Sequence, residues 1–146
     1  MLKIIQGDIF SSTAQTLVNT VNCVGVMGKG LALEFKNRFP LMFDDYRRRC
    51  KEGQVQIGQP YLYTASQPWI LNFPTKLHWR NNSKIEYITA GLNFFIANYS
   101  TWNITSIAFP LLGANLGGLD KSLVLDVMTQ HLEKLDIPVE IRFLKK

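Results

Sequence analysis

Hydrophobic positions along the chain switch repeatedly between a two-residue and a helical period. Lys3 to Gln6 and Thr16 to Val21 are short runs with β-branched residues, and both predict strands, the second a buried one. Leu31, Phe35 and Phe39 then recur at every fourth position, placing one apolar stripe along a helix that Pro40 stops. Met42, Tyr46 and Cys50 repeat the pattern in a second helix, with Gly53 at its end. Pro60 to Ala65 and Trp69 to Phe73 return to strand character, the latter ended by Pro74. Ser83 and Glu86 form a capping-box pattern ahead of a long amphipathic helix carrying Ile85, Ile88, Leu92, Phe95, Ile96 and Tyr99. Ile104 to Phe109 predicts another buried strand, ended by Pro110. A helix with Val124, Val127, Met128 and Leu135 follows, and then a strand in which Val139, Ile141 and Phe143 alternate with charged residues.

Strands alternating with helices imply a central mixed sheet covered on both faces, a three-layer α/β/α domain spanning residues 1–146. No internal repeat, linker composition or low-complexity tract interrupts it. The balance of 47% apolar to 18% charged residues is globular and argues against disorder. No apolar run approaches the roughly 20 residues that span a bilayer, so no membrane association is expected. The first residues, Met1 to Ile5, lead into strand sequence without signal-peptide anatomy. Cys23 and Cys50 are too few for a disulfide framework and lack metal-ligand spacing. The expectation is a cytoplasmic monomer with reduced thiols, no metal and no cofactor.

A net charge of +5 is compatible with a polyanionic partner without requiring one. Basic residues gather at Arg47-Arg48-Arg49 with Lys51, and between Lys76 and Lys84 with His78 and Arg80 among them. Each run fits a solvated helix face as well as a nucleic-acid footprint.

More specific chemistry lies in two glycine clusters, Gly25-Val26-Met27-Gly28-Lys29-Gly30 and Gly113 to Gly118. Both fall where a strand ends and a helix begins. Glycine there permits positive φ and close approach of the backbone to a ligand. A helix N-terminus adds free N–H groups and partial positive charge, which favour phosphate. Two such loops at neighbouring strand ends suit a diphosphate held in one crevice. Neither cluster satisfies the Walker pattern or Gly-x-Gly-x-x-Gly.

Taken in order, Gly7-Asp8-Ile9, Asn19-Thr20-Val21-Asn22, the first glycine loop and Pro110-Leu111-Leu112-Gly113 resemble the macrodomain family over nearly the whole chain. Val24 to Gly30, together with Asn72-Phe73-Pro74-Thr75-Lys76 and His78-Trp79-Arg80, is similar to the DarG-type DNA ADP-ribosyl glycohydrolase subgroup. The related terminal ADP-ribose protein glycohydrolase shares its lysine-based logic. The resemblance implies removal of ADP-ribose from thymidine bases in single-stranded DNA, by an antitoxin paired with an ADP-ribosyltransferase toxin. It implies that Asp8, flanked by Gly7 and Ile9, accepts a hydrogen bond from the adenine amino group. Asn22 is implied to contact the distal ribose hydroxyls, and Phe143 to stack on adenine. Val26, Met27, Gly28, Lys29 and Gly30 are implied for one side of the ADP-ribose crevice. Pro110, Leu112, Gly113, Ala114, Asn115, Leu116 and Gly117 are implied for the other. Lys76 is the implied catalytic residue, either a proton donor to the leaving base or a neutral nucleophile at C1″. His78, Trp79 and Arg80 are implied nucleic-acid contacts.

The same residues also have plainer readings. Asp8 suits a turn or N-cap, Asn22 a buried amide tying loops together, Phe143 and Trp79 the core, and Arg80 the surface. The second loop departs from the subgroup's Gly-Cys-Gly-Asn-Gly-Gly-Leu-Asp-Trp. Asn115 stands for a glycine, where asparagine is the next-best residue for positive φ, Leu116 for an asparagine and Lys121 for the tryptophan. Gly117 aligns with the catalytic aspartate of the terminal glycohydrolase, and Asp120 fits the cap of the following helix. Other functions open at this point are a non-catalytic ADP-ribose reader, an ADP-ribose 1″-phosphate phosphatase, a protein-linked ADP-ribose hydrolase, and a basic nucleic-acid binder without an ADP-ribose site.

Overall fold

The computed structural model describes residues 1–144. In chain order the elements are β1 (Leu2–Gln6), a 3₁₀ turn (Ile9–Ser11), β2 (Thr16–Asn22), α1 (Gly30–Arg38), α2 (Pro40–Lys51) and β3 (Tyr61–Tyr63). They continue with β4 (Trp69–Lys76), α3 (Ile85–Asn98), β5 (Ile107–Phe109), α4 (Lys121–Leu132) and β6 (Val139–Phe143). The strands form one mixed sheet in the order β1-β6-β5-β2-β4-β3. Only β3 runs antiparallel to its neighbour.

Alternation along the strands divides the interior into two cores. Leu17, Ile70 and Ala108 face one way and meet Phe35, Met42 and Tyr46 of α1 and α2. Their neighbours Val18, Leu71, Ile107 and Phe109 face the other way, onto Leu92 and Phe95 of α3 and Val124 and Met128 of α4. The result is the expected three-layer α/β/α arrangement. Helix α3 lies so close to the sheet that a Cβ on Gly91 would stand 2.3 Å from Cζ of Phe73.

Several expected boundaries move. Pro74 does not end its strand: it pairs with Val21 inside β4, which runs on to Lys76. Strand β3 reaches no further along β4 than Asn72, so the rest of β4 is paired on one side only and tolerates proline as an edge does. Pro40 closes α1 and also opens α2, at a first-turn position where its missing N–H costs nothing. The run Pro60 to Ala65 contracts to Tyr61–Tyr63, and Ile104 to Phe109 contracts to Ile107–Phe109, the stretch that pairs with β6. Leu135 lies beyond the end of α4 at Leu132.

The capping box does not form. Lys84 occupies the N-cap of α3 without a side-chain bond, and Ser83 is buried one residue earlier with its hydroxyl unpartnered. Its backbone N–H instead donates to the Gly117 carbonyl at 2.8 Å, so Ser83 serves the second glycine loop. Asp120 does cap α4, accepting from Leu123 N at 3.0 Å.

Candidate functional site

The ends of β2 and β4 and the segment following β5 open into a cavity of about 590 Å³, with one glycine loop on each side. This is where parallel α/β sheets place their ligands.

The first loop is built around Asn22, only 6% exposed at the end of β2. Its side-chain oxygen accepts from the backbone N–H groups of Val24 and Val26 at 3.0 and 3.4 Å. Its amide donates to the Val26 carbonyl at 2.7 Å. From α2, the buried Tyr46 hydroxyl stands 2.8 Å from both the Asn22 carbonyl and its side-chain oxygen. Burial, the main cause, holds the Tyr46 hydroxyl far above the usual phenol range, so it stays protonated. Gly25 and Gly30 supply the positive φ, 94° and 58°, that brings the chain round.

In the second loop Gly113 and Gly118 take positive φ, while Asn115 does not; its substitution for glycine is tolerated for that reason. Gly117 is required by crowding, because a Cβ there would lie 2.4 Å from the Gly113 carbonyl oxygen. Leu119 N–H donates to that same carbonyl at 3.0 Å. Leu116, 58% exposed, reaches across the crevice, its Cδ1 lying 3.2 Å from where a Cβ on Gly30 would be.

Lys76, the last residue of β4, sits between the loops. Its Nζ donates to the Trp79 carbonyl at 3.1 Å and to the Leu116 carbonyl at 3.4 Å. Partial burial strips water from the ammonium and lowers its pKa below the ordinary lysine value. Three cations, Lys29, Lys76 and Arg80, line the cavity, and among the described residues no carboxylate does. At the mouth Trp79 is 44% exposed, with the Arg80 guanidinium 4.7 Å from its ring centre and the His78 ring 5.2 Å away. A cavity of this size, lined by cations and backed by two glycine loops, suits an anionic nucleotide.

The family model for the Macro domain matches residues 18–128. The chain belongs to the macrodomain family. A DNA ADP-ribosyl glycohydrolase of Mycobacterium tuberculosis is 49% identical over 124 residues, covering 82% of this chain and 35% of that protein. The solved macrodomain of Mycobacterium tuberculosis DarG superposes with a TM-score of 0.94 at 42% identity, covering 100% of this chain and 99% of that one. Thermosipho africanus DarTG, solved in complex with ADP-ribose, matches with a TM-score of 0.93 at 44% identity, covering 97% of this chain and 41% of that one. The chain spans between 35% and 41% of the length of the curated glycohydrolase relatives it matches.

In this macrodomain the residues named from sequence fall into three sets. Asn22, Val26, Gly28, Lys29, Gly30, Lys76, Trp79, Arg80, Pro110, Gly113, Asn115, Leu116 and Gly117 line the cavity together. Met27, Leu112 and Ala114 lie buried under the loops and His78 beside the rim, outside the lining. Gly7, Asp8, Ile9 and Phe143 gather at the ends of β1 and β6, also outside it. There Gly7 N–H donates to the Phe143 carbonyl at 2.9 Å, and Asp8 accepts from Phe10 N at 3.0 Å, capping the 3₁₀ turn. Phe143 is half-buried.

Sequence reasoning gave no site role to Thr20, Thr75 and Leu111 in the lining, nor to Tyr46 and Ser83 behind the loops. Tyr46 carried a signal: a hydroxyl on an apolar helix face needs a buried partner. The free thiols stand apart from this chemistry. Burial, with Cys50 nearby, pushes Cys23 up to about 11, so it is a poor nucleophile at neutral pH. No helix among the described residues is long and apolar enough to cross a membrane, and no cluster of metal-ligating side chains occurs among them.

Proposed function

We propose that this macrodomain holds ADP-ribose with its diphosphate between the two glycine loops and cleaves it from thymidine in single-stranded DNA. The observation that carries the reading is the setting of Lys76. An ammonium has three N–H donors. Two are engaged by the Trp79 and Leu116 carbonyls, which leaves the third for the group leaving C1″. Lys76 therefore acts as the proton donor. As the bond from C1″ to the base nitrogen breaks, charge builds on the ribose and the lysine proton goes to the departing base; water then adds at C1″ and its released proton returns to the lysine amine. A positioned acid of this kind contributes roughly 10²–10⁴-fold.

Trp79 and Arg80 at the mouth supply an aromatic face and a cation for the flanking nucleotide and its phosphate. The Thermosipho africanus relative is named as a fusion of a DNA ADP-ribosyl transferase and a glycohydrolase, which supports a transferase toxin as the partner. The test presents the protein with three substrates in parallel: ADP-ribose linked to thymidine in an oligonucleotide, linked to protein, and as the 1″-phosphate. Rapid release from the oligonucleotide is expected. Phosphate release without action on DNA marks a phosphatase, and binding without release from any linkage marks a reader.

A further inference from the structure

The second loop reaches Lys76 through one residue, and that residue touches both walls of the crevice. Leu116 offers its carbonyl to Nζ at 3.4 Å, while its side chain lies against Gly30 on the opposite loop. On one side, Gly117 is packed against the Gly113 carbonyl and anchored by the Ser83 N–H, so the Leu116 carbonyl is held from that side by the loop and from the other by the Leu116 side chain. The side chain is therefore a brace between the loops, and the carbonyl at its root is one of two that hold the lysine.

We infer that Leu116 is a positioning residue for Lys76: braced against Gly30, it fixes the carbonyl that keeps the ammonium between the loops and shields that ammonium from water. The charged and titratable groups around the cavity support the assignment. Lys29 lines the cavity from the first loop and Arg80 from the segment after β4, with His78 beside the rim, and the second loop, Gly113 to Gly118, contributes no charged side chain. Among the described residues no carboxylate lines the cavity to pair with Lys76, so its orientation rests on carbonyls, and its hydration on what covers it. Truncating Leu116 loosens the weaker of the two carbonyl bonds and admits water. Water solvates an ammonium better than a long bond does, so proton affinity rises.

This inference rests on the proposed role of Lys76 for its kinetic arm only. The experiment titrates the Lys76 side-chain nitrogen by ¹⁵N NMR in the full chain, with Lys76→Arg to assign the signal. Wild type is compared with Leu116→Ala and Leu116→Met, and the pH–rate profile on thymidine-linked ADP-ribose is recorded for each. In Leu116→Ala the midpoint should move up by about half a unit or more toward the ordinary lysine value. The pH–rate limb should move with it, and kcat should fall more than KM rises. Leu116→Met, which refills the space, should restore most of both. An unmoved or lowered midpoint in Leu116→Ala overturns the inference, including when ADP-ribose affinity drops, since Leu116 is then only a wall of the ligand site. If no DNA substrate is hydrolysed by any variant, the function above fails while the NMR titration still decides this point.

Discussion

The Tyr46 hydroxyl stands 2.8 Å from both oxygens of Asn22, tying helix α2 to the end of β2 beneath the first glycine loop. Asn22 in turn holds the N–H groups of Val24 and Val26 and the carbonyl of Val26. The loop's shape therefore depends on a helix that does not touch the crevice itself. Tyr46→Phe removes one buried donor and should cost about 1–3 kcal/mol of stability. Urea unfolding measures that loss, and calorimetry should show weaker ADP-ribose binding. Wild-type values in both would mean that the hydroxyl is dispensable.

Gly117 marks a limit on the chemistry available to the second loop. Placing there the aspartate of the terminal protein glycohydrolase drives a Cβ into the Gly113 carbonyl, 2.4 Å away. Gly117→Asp should displace the loop and lose ADP-ribose affinity by at least tenfold, a loss of about 1.4 kcal/mol or more. A variant that binds normally and gains action on protein-linked ADP-ribose would show the crowding to be readily relieved.

The acid role proposed for Lys76 has a signed pH dependence. Desolvation lowers its pKa, so the protonated form is lost at a lower pH than for a free lysine. Activity should be present at neutral pH and fall as pH rises through that lowered value. A single-turnover pH–rate profile checks it, and a rate that instead climbs on the alkaline side identifies a neutral, nucleophilic amine.

Away from the site, the contact of α3 with β4 leaves no room at Gly91. Gly91→Ala forces the Phe73 ring to shift and should cost about 1–3 kcal/mol through overpacking. Thermal unfolding should register this while ADP-ribose affinity at saturating folded protein stays near wild type.

The sheet and its helices were legible because alternation and helical spacing are strong where a residue faces one core. In β4, Ile70 and Leu71 go to opposite cores, and Phe73 returns to the second, as a period of two demands. Boundaries set by tertiary context were not legible. Pro74 lies within its strand because β3 stops short of it, and Ser83 missed its cap because the second loop engages its N–H. The two glycine loops and Lys76 were legible as a crevice from their places at strand ends. The brace at Leu116 was visible only as a departure from a motif, since contact with Gly30 arises between loops far apart in sequence. Asp8 and Phe143 show the reverse: a family resemblance names them, while the structure places them at the ends of β1 and β6, outside the cavity lining.

In the proposed reaction two glycine loops hold ADP-ribose while Lys76 protonates the departing base. The most direct measurement is single-turnover release of ADP-ribose from a thymidine-linked single-stranded oligonucleotide, wild type against Lys76→Ala, with ADP-ribose affinity measured on both. Wild type should release ADP-ribose completely, and the variant should be slower by at least about a hundredfold with affinity largely kept. Equal rates for the two proteins would contradict it.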